Sequence, residues 1–213
     1  MVSVRRKIRF WAEEVGTALT EGLIVFPLIL LMIAAFFEFG YAVYQYNQTV
    51  KALQYGARRA AVSYLLIDDV ADLTSGFGSD AGVPVPYDPA NIVSVSCGPG
   101  KAACLTAQLN RLVYGSDGEC NINLDKSMPG MCDYNDRIAP ENVLITYHVS
   151  GLGFVGRPGG PVVTITVELR NLNFELPFMG ALLGLGPFPI PANPVTVTSE
   201  DLSSTDDVGP EAP

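Results

Sequence analysis

Charge is scarce in this chain. Only 16% of its 213 residues are Asp, Glu, Lys or Arg and 48% are hydrophobic, against roughly 25% charged in ordinary soluble domains. That balance argues against an intrinsically disordered chain and against a freely soluble cytosolic domain. Cations are the scarcer sign: 13 Lys and Arg face 22 Asp and Glu, for a net charge of −9. Without clustered cations there is little counterion release to drive binding to a phosphate backbone, so nucleic acid is not an expected partner. Histidine occurs once, at His148, and no Gly-x-Ser-x-Gly elbow, His-Glu-x-x-His pair or phosphate-binding glycine loop is present. The commonest hydrolytic and nucleotide chemistries therefore lack their residues, and no catalytic residue or cofactor is assigned. A carboxylate-pair hydrolase stays open as an alternative, because acidic residues are plentiful in the second half.

The few cations are unevenly placed. Arg5, Arg6, Lys7 and Arg9 fall in the first nine positions, and seven of the 13 cations precede residue 60, whereas 18 of the 22 acidic residues follow it. Between head and body lies GLIVFPLILLMIAAFF, Gly22 to Phe37, with no charge; after Glu38 the chain again runs uncharged to Val50. At about 1.5 Å per residue, a helix over 22–44 exceeds the ~30 Å of a bilayer's hydrocarbon layer. The sequence predicts one membrane-spanning helix at about 22–44. A buried core helix is the alternative, but so many large side chains on every face are hard to cover in a chain this short. The basic leader sets the N-terminus on the cytoplasmic side and the acidic body outside, with Tyr41, Tyr44 and Tyr46 suited to the far interface.

A secretory signal has a similar basic-then-apolar order. Here the apolar run is longer than usual, Glu13, Glu14 and Glu21 interrupt its approach, and no small-x-small cleavage site follows. Instead Gly16 stands five residues before Glu21, the pattern of a prepilin peptidase substrate, with cleavage expected between Gly16 and Thr17. Glu21 would then lie near the inner membrane boundary, where an ionised carboxylate is costly unless paired. A helix-dipole or snorkelling role for Glu21 is the alternative.

More of the segment follows the same model. From Gly16 to Val62 the chain has Glu21, Pro27 six residues later, an aliphatic run, Glu38-Phe39-Gly40, Tyr46-Asn47, and Gly56-Ala57-Arg58 leading into Ala60 and Ala61. In this order they resemble the N-terminal segment of TadE-like proteins of the tight-adherence (Flp) pilus machinery. One position departs: where the family places an aromatic after the glutamate, this chain has Gly22. The resemblance implies a non-enzymatic, single-pass pseudopilin or minor pilin in which Glu21, Pro27 and Glu38 serve helix register and assembly, Glu21 pairing with a neighbour's free amine. It implies partners in TadF-like and TadG-like minor pilins, the major Flp pilin, the inner-membrane platform, and a prepilin peptidase for which this chain is substrate. It places the protein in the bacterial inner membrane, head in the periplasm. An uncleaved membrane anchor is the alternative. Pro27 is expected to kink or loosen the helix.

Beyond the span, Val43, Tyr46, Val50, Leu53, Ala57, Ala60 and Tyr64 recur at helical steps, predicting an apolar stripe that rests on a domain. The helix is expected to end between Tyr64 and Gly76, with a break near Ile67 and a short further turn, because Asp68, Asp69 and Asp72 are unfavourable at a C-terminus. Strands are predicted at 92–96, 143–149, 162–169 and 195–199, with a short helix through Leu105, Leu109 and Leu112, and a proline-rich connection over 172–191 with a helical turn at 179–183. Cys97, Cys104, Cys120 and Cys132 fall outside the membrane in this orientation, where two disulfides are the default; three pairings are possible, and the local one, 97 with 104 and 120 with 132, is favoured. A zinc site is the alternative, but close Cys-x-x-Cys pairs are absent, and His148 reads as structural. The acidic groups Asp133, Asp136, Glu141 and Asp117, Glu119 lack EF-hand spacing and read as solvated loops, so no metal is assigned. The expected fold class is α+β: a long helix packed on a small antiparallel sheet, pilin-like, with a disulfide-containing periplasmic domain. Its parts are a leader at 1–16, a helix at 17–66, a β-rich domain at 67–199 and a disordered acidic tail at 200–213.

Overall fold

The computed structural model describes residues 3–67, 71–75, 77–90, 92–121, 128–157, 162–174, 176–184 and 186–199. The acidic tail expected from Glu200 lies outside the described residues, as do Asp68 and Asp69. The architecture is α+β. Helix α1 runs over Ser3–Val62, 60 residues, and among the described residues three short α-helices follow: α2 at Ala71–Thr74, α3 at Thr106–Tyr114 and α4 at Met179–Leu183. Strands β1 (Ser94–Cys97), β2 (Val143–Val149), β3 (Val163–Leu169) and β6 (Val195–Thr198) form one sheet in the order β1-β2-β3-β6. All its pairings are antiparallel. Strands β4 (Asn173–Phe174) and β5 (Phe188–Pro189) pair separately.

The sheet follows from its alternation. In β2 and β3, Ile145, Tyr147, Val149, Val163, Ile165 and Val167 point to one face and are buried, which a period of two dictates when one side meets a core. On the other face, register places Ser96, Thr146, Thr166 and Thr196 in one row across four strands. Hydroxyls within that row meet in pairs, Ser96 with Thr146 at 2.9 Å and Thr166 with Thr196 at 3.0 Å.

Helix α1 continues through Pro27, since a proline removes only one ladder bond and the neighbouring turns persist. It ends at Val62, short of the expected Tyr64–Gly76 window. Competing partners for the backbone explain the early stop. The Ser63 hydroxyl donates to Arg59 O at 2.6 Å, the Leu66 N–H donates to the Tyr147 hydroxyl at 3.0 Å, and Leu66 O accepts from Leu105 N at 2.8 Å. Leu66 is thus held by the sheet and by the approach to α3, and α2 supplies the short turn that follows. Two disulfides close local loops, Cys97–Cys104 and Cys120–Cys132.

The chain divides into two compact units. One comprises Met1–Tyr44 with Phe174–Phe188, the other Gln45–Asn173 with Pro189–Pro213. The second holds the sheet, both disulfides and α1 from Gln45 onward.

Candidate functional site

In the first unit, the helix from Leu19 to Tyr44 presents apolar side chains on every face. Leu23, Phe26, Leu28, Met32, Phe36 and Phe39 are all exposed, and the segment is long and apolar enough to cross a membrane. A soluble core helix would hide one side of this surface, and here the apolar residues are open all around.

Glu38 breaks that pattern. It is 4% exposed, and its Oε1 accepts a hydrogen bond from the backbone N–H of Phe178. The donor belongs to the loop running through β4, α4 and β5, which folds back to the helix at this level. Phe37, Glu38 and Tyr41 from the helix, with Phe174, Leu176, Phe178 and Pro187 from the loop, line a cavity of about 620 Å³. One turn on, Tyr41 and Tyr44 stack with ring centroids 6.3 Å apart.

The other residues singled out in the sequence lie elsewhere on the helix. Glu21 is exposed, and it stands seventeen positions from Glu38 on α1, which is about 25 Å along the axis; the structure does not bring the two carboxylates together. Gly16 and Thr17 are helical, and Pro27 is exposed. At Gly22 a Cβ would meet nothing within 4 Å, so the departure from an aromatic at that position has no steric cause within the chain.

In the second unit, the helix face that packs keeps Leu53, Ala57 and Ala60 of the expected stripe but not its two ends. Val43 and Tyr64 are exposed, while Gln45, Thr49, Ala52, Leu53, Ala57, Arg59 and Ala60 are buried. Their named contacts go to the segment 128–137. Asn135 Nδ2 donates to Thr49 Oγ1 at 2.9 Å, Arg137 Nη1 donates to Gln45 Oε1, and Arg59 Nη1 donates to the Met128 and Pro129 carbonyls. Tyr55 packs on Tyr134 with centroids 5.2 Å apart. At Gly56 a Cβ would fall 2.5 Å from Met131 Sδ. The polar and small residues were the missed signal: Gln45, Thr49, Ala52 and Gly56 share one side with Ala60 at steps of three and four, and small residues there admit a close neighbour.

Tyr147 anchors the sheet's inner face. It is fully buried, and burial pushes its phenol up to about 12, opposed by the hydrogen bond from the Leu66 N–H. His148 lies half-buried on the opposite face, paired in register with Ser94 and Thr164. Among the described residues, no three His, Cys, Asp or Glu side chains gather as a metal-holding set.

No curated protein and no solved structure matches the chain. The model of the TadE-like protein family matches residues 16–58, a stretch holding Glu21, Pro27, the buried Glu38 and the Gly56 that faces Met131. Over that length, α1 is similar to TadE-like proteins.

Proposed function

We propose that the protein is a non-enzymatic, single-pass membrane pseudopilin or minor pilin of a tight-adherence pilus. The observation that carries the reading is the coincidence of the TadE-like match at 16–58 with a helix whose Leu19–Tyr44 stretch leaves its apolar side chains uncovered on all sides. Such a surface is stable in lipid or against other apolar helices. Its work is assembly: the helix spans the inner membrane with the basic leader in the cytoplasm, and the disulfide-bonded sheet unit stands in the periplasm as a docking surface. Glu21, exposed in the lone chain, has a partner to find in a neighbouring subunit, and the free amine created at Thr17 by a prepilin peptidase is that partner. The TadF-like and TadG-like minor pilins, the major pilin and the inner-membrane platform are the assembly in which it acts.

The retained, uncleaved anchor is the second reading, favoured by Gly22 in place of the family's aromatic. Mass spectrometry of the mature N-terminus, in cells with and without prepilin peptidase, separates the two. We expect a chain beginning at Thr17 only where the peptidase is present. An intact N-terminus in peptidase-positive cells would establish the anchor instead.

A further inference from the structure

The loop from Leu176 to Phe188, LPFMGALLGLGPF, carries no charge and is too apolar for a surface connection. It exposes Phe178 at 62%, Leu182 at 63% and Phe188 at 49%. Water is a poor solvent for such a patch beside a cavity whose lining is mostly apolar. The loop is fixed to the helix at one depth, where Phe178 N–H meets Glu38. If the span begins after Glu21, the last charge before the apolar run, then about 20 residues cross the hydrocarbon and Glu38 falls within about 5 Å of its outer edge. Phe37 and Phe39, the neighbours of Glu38, are each 71% exposed, so the loop's open side chains continue the helix's own apolar surface.

We propose that the 176–188 loop is a second membrane element, seated in the outer leaflet beside the helix with Phe178, Leu182 and Phe188 in the acyl region. The inference rests on the membrane-spanning reading and extends it to a part of the chain 140 positions away. It also accounts for Glu38. A carboxylate at that depth is costly when it faces lipid, and the loop hides it while donating a backbone hydrogen bond. The occupant is lipid rather than a partner protein because the patch is continuous with the span and lies at hydrocarbon depth.

The test uses the full chain in phosphatidylethanolamine/phosphatidylglycerol vesicles. The single tryptophan is removed as Trp11→Phe, and one reporter is placed at a time: Leu182→Trp or Phe188→Trp in the loop, Leu30→Trp in the span and Tyr64→Trp beyond the helix. Lipids brominated near the headgroup or near the chain end serve as quenchers. Both loop reporters are expected to lose most of their emission to the shallow bromines, Leu30→Trp to the deep ones, and Tyr64→Trp to neither. Bright loop reporters alongside a quenched Leu30→Trp overturn the proposal while leaving the span intact. A bright Leu30→Trp overturns the span itself, and the loop's seat with it. Loop quenching that appears only when protein is diluted in lipid also overturns the proposal, because it shows a second copy covering the patch.

Discussion

Tyr147 shows how one side chain joins two parts of the sheet unit. Its ring fills the core beneath the sheet, and its hydroxyl accepts the Leu66 N–H that the end of α1 leaves without a helical partner. The sign of its pH dependence follows from the raised phenol. The unfolded chain releases this proton near 10.0, the folded one near about 12, so the contribution is complete below the lower value and is lost as pH rises toward the upper. The expected alkaline loss is on the order of 2 kcal/mol. Tyr147→Phe keeps the ring but strands a buried N–H, which costs about 1–3 kcal/mol at neutral pH. It also removes this residue's share of the alkaline slope. Urea unfolding of the outer unit at neutral and alkaline pH checks both: a variant as stable as the parent at neutral pH, or one with an undiminished alkaline slope, contradicts the assignment.

At the scale of elements, the close approach between α1 after Gln45 and the segment 128–137 depends on Gly56. A methyl there meets the middle of the Met131 side chain, so Gly56→Ala trades a helix-propensity gain of about 1 kcal/mol against a similar packing cost. Gly56→Leu adds bulk that Met131 cannot yield to, and a loss of about 2–3 kcal/mol is expected. Trimming the opposing side as Met131→Ala should return part of it in the double variant, and a double-mutant cycle by thermal unfolding with no coupling would exclude this contact. The same junction shows what the sequence could and could not tell. Strands 143–149 and 195–199, and the turn at 179–183, were legible because alternation and flanking turn residues are local signals. The helix stripe was legible at Leu53, Ala57 and Ala60, which are buried, and was missed toward residue 45, where the packed side is polar and small. Gln45 and Thr49 are buried and meet Arg137 and Asn135, about ninety positions on. Residues 128–137 grip the helix through the Met128 and Pro129 carbonyls, the Asn135 and Arg137 side chains and the Tyr134 ring, and no local pattern announces contacts with partners so distant in sequence. Likewise Glu38 stood out as a charge in an apolar run, while its partner is a backbone N–H in a distant loop, invisible to side-chain pattern.

For the whole molecule, charge and redox chemistry bear on one question, which side of the membrane the sheet unit occupies. On the proposed topology four cations, Arg5, Arg6, Lys7 and Arg9, precede the span and 18 of 22 acids follow residue 60, and short basic flanks stay cytoplasmic, so the acidic unit is the one expected to be exported. Its four cysteines are joined in pairs separated by seven and 12 positions. Closing loops of that size stabilises a domain by about 2–3 kcal/mol each in the chain-entropy model, a gain available only where thiols are oxidised. A cytosolic unit would lose both bridges to the glutathione and thioredoxin pools. The orientation can therefore be read from thiol state. Cells are quenched with acid, the protein is denatured, and a heavy maleimide is added with or without prior reduction. The expected result is no gel shift without reduction and four adducts after it, matching the four cysteines. Four adducts without reduction would place the unit in a reducing compartment and reverse the proposed orientation, since no arrangement of the leader's cations can keep both bridges closed there.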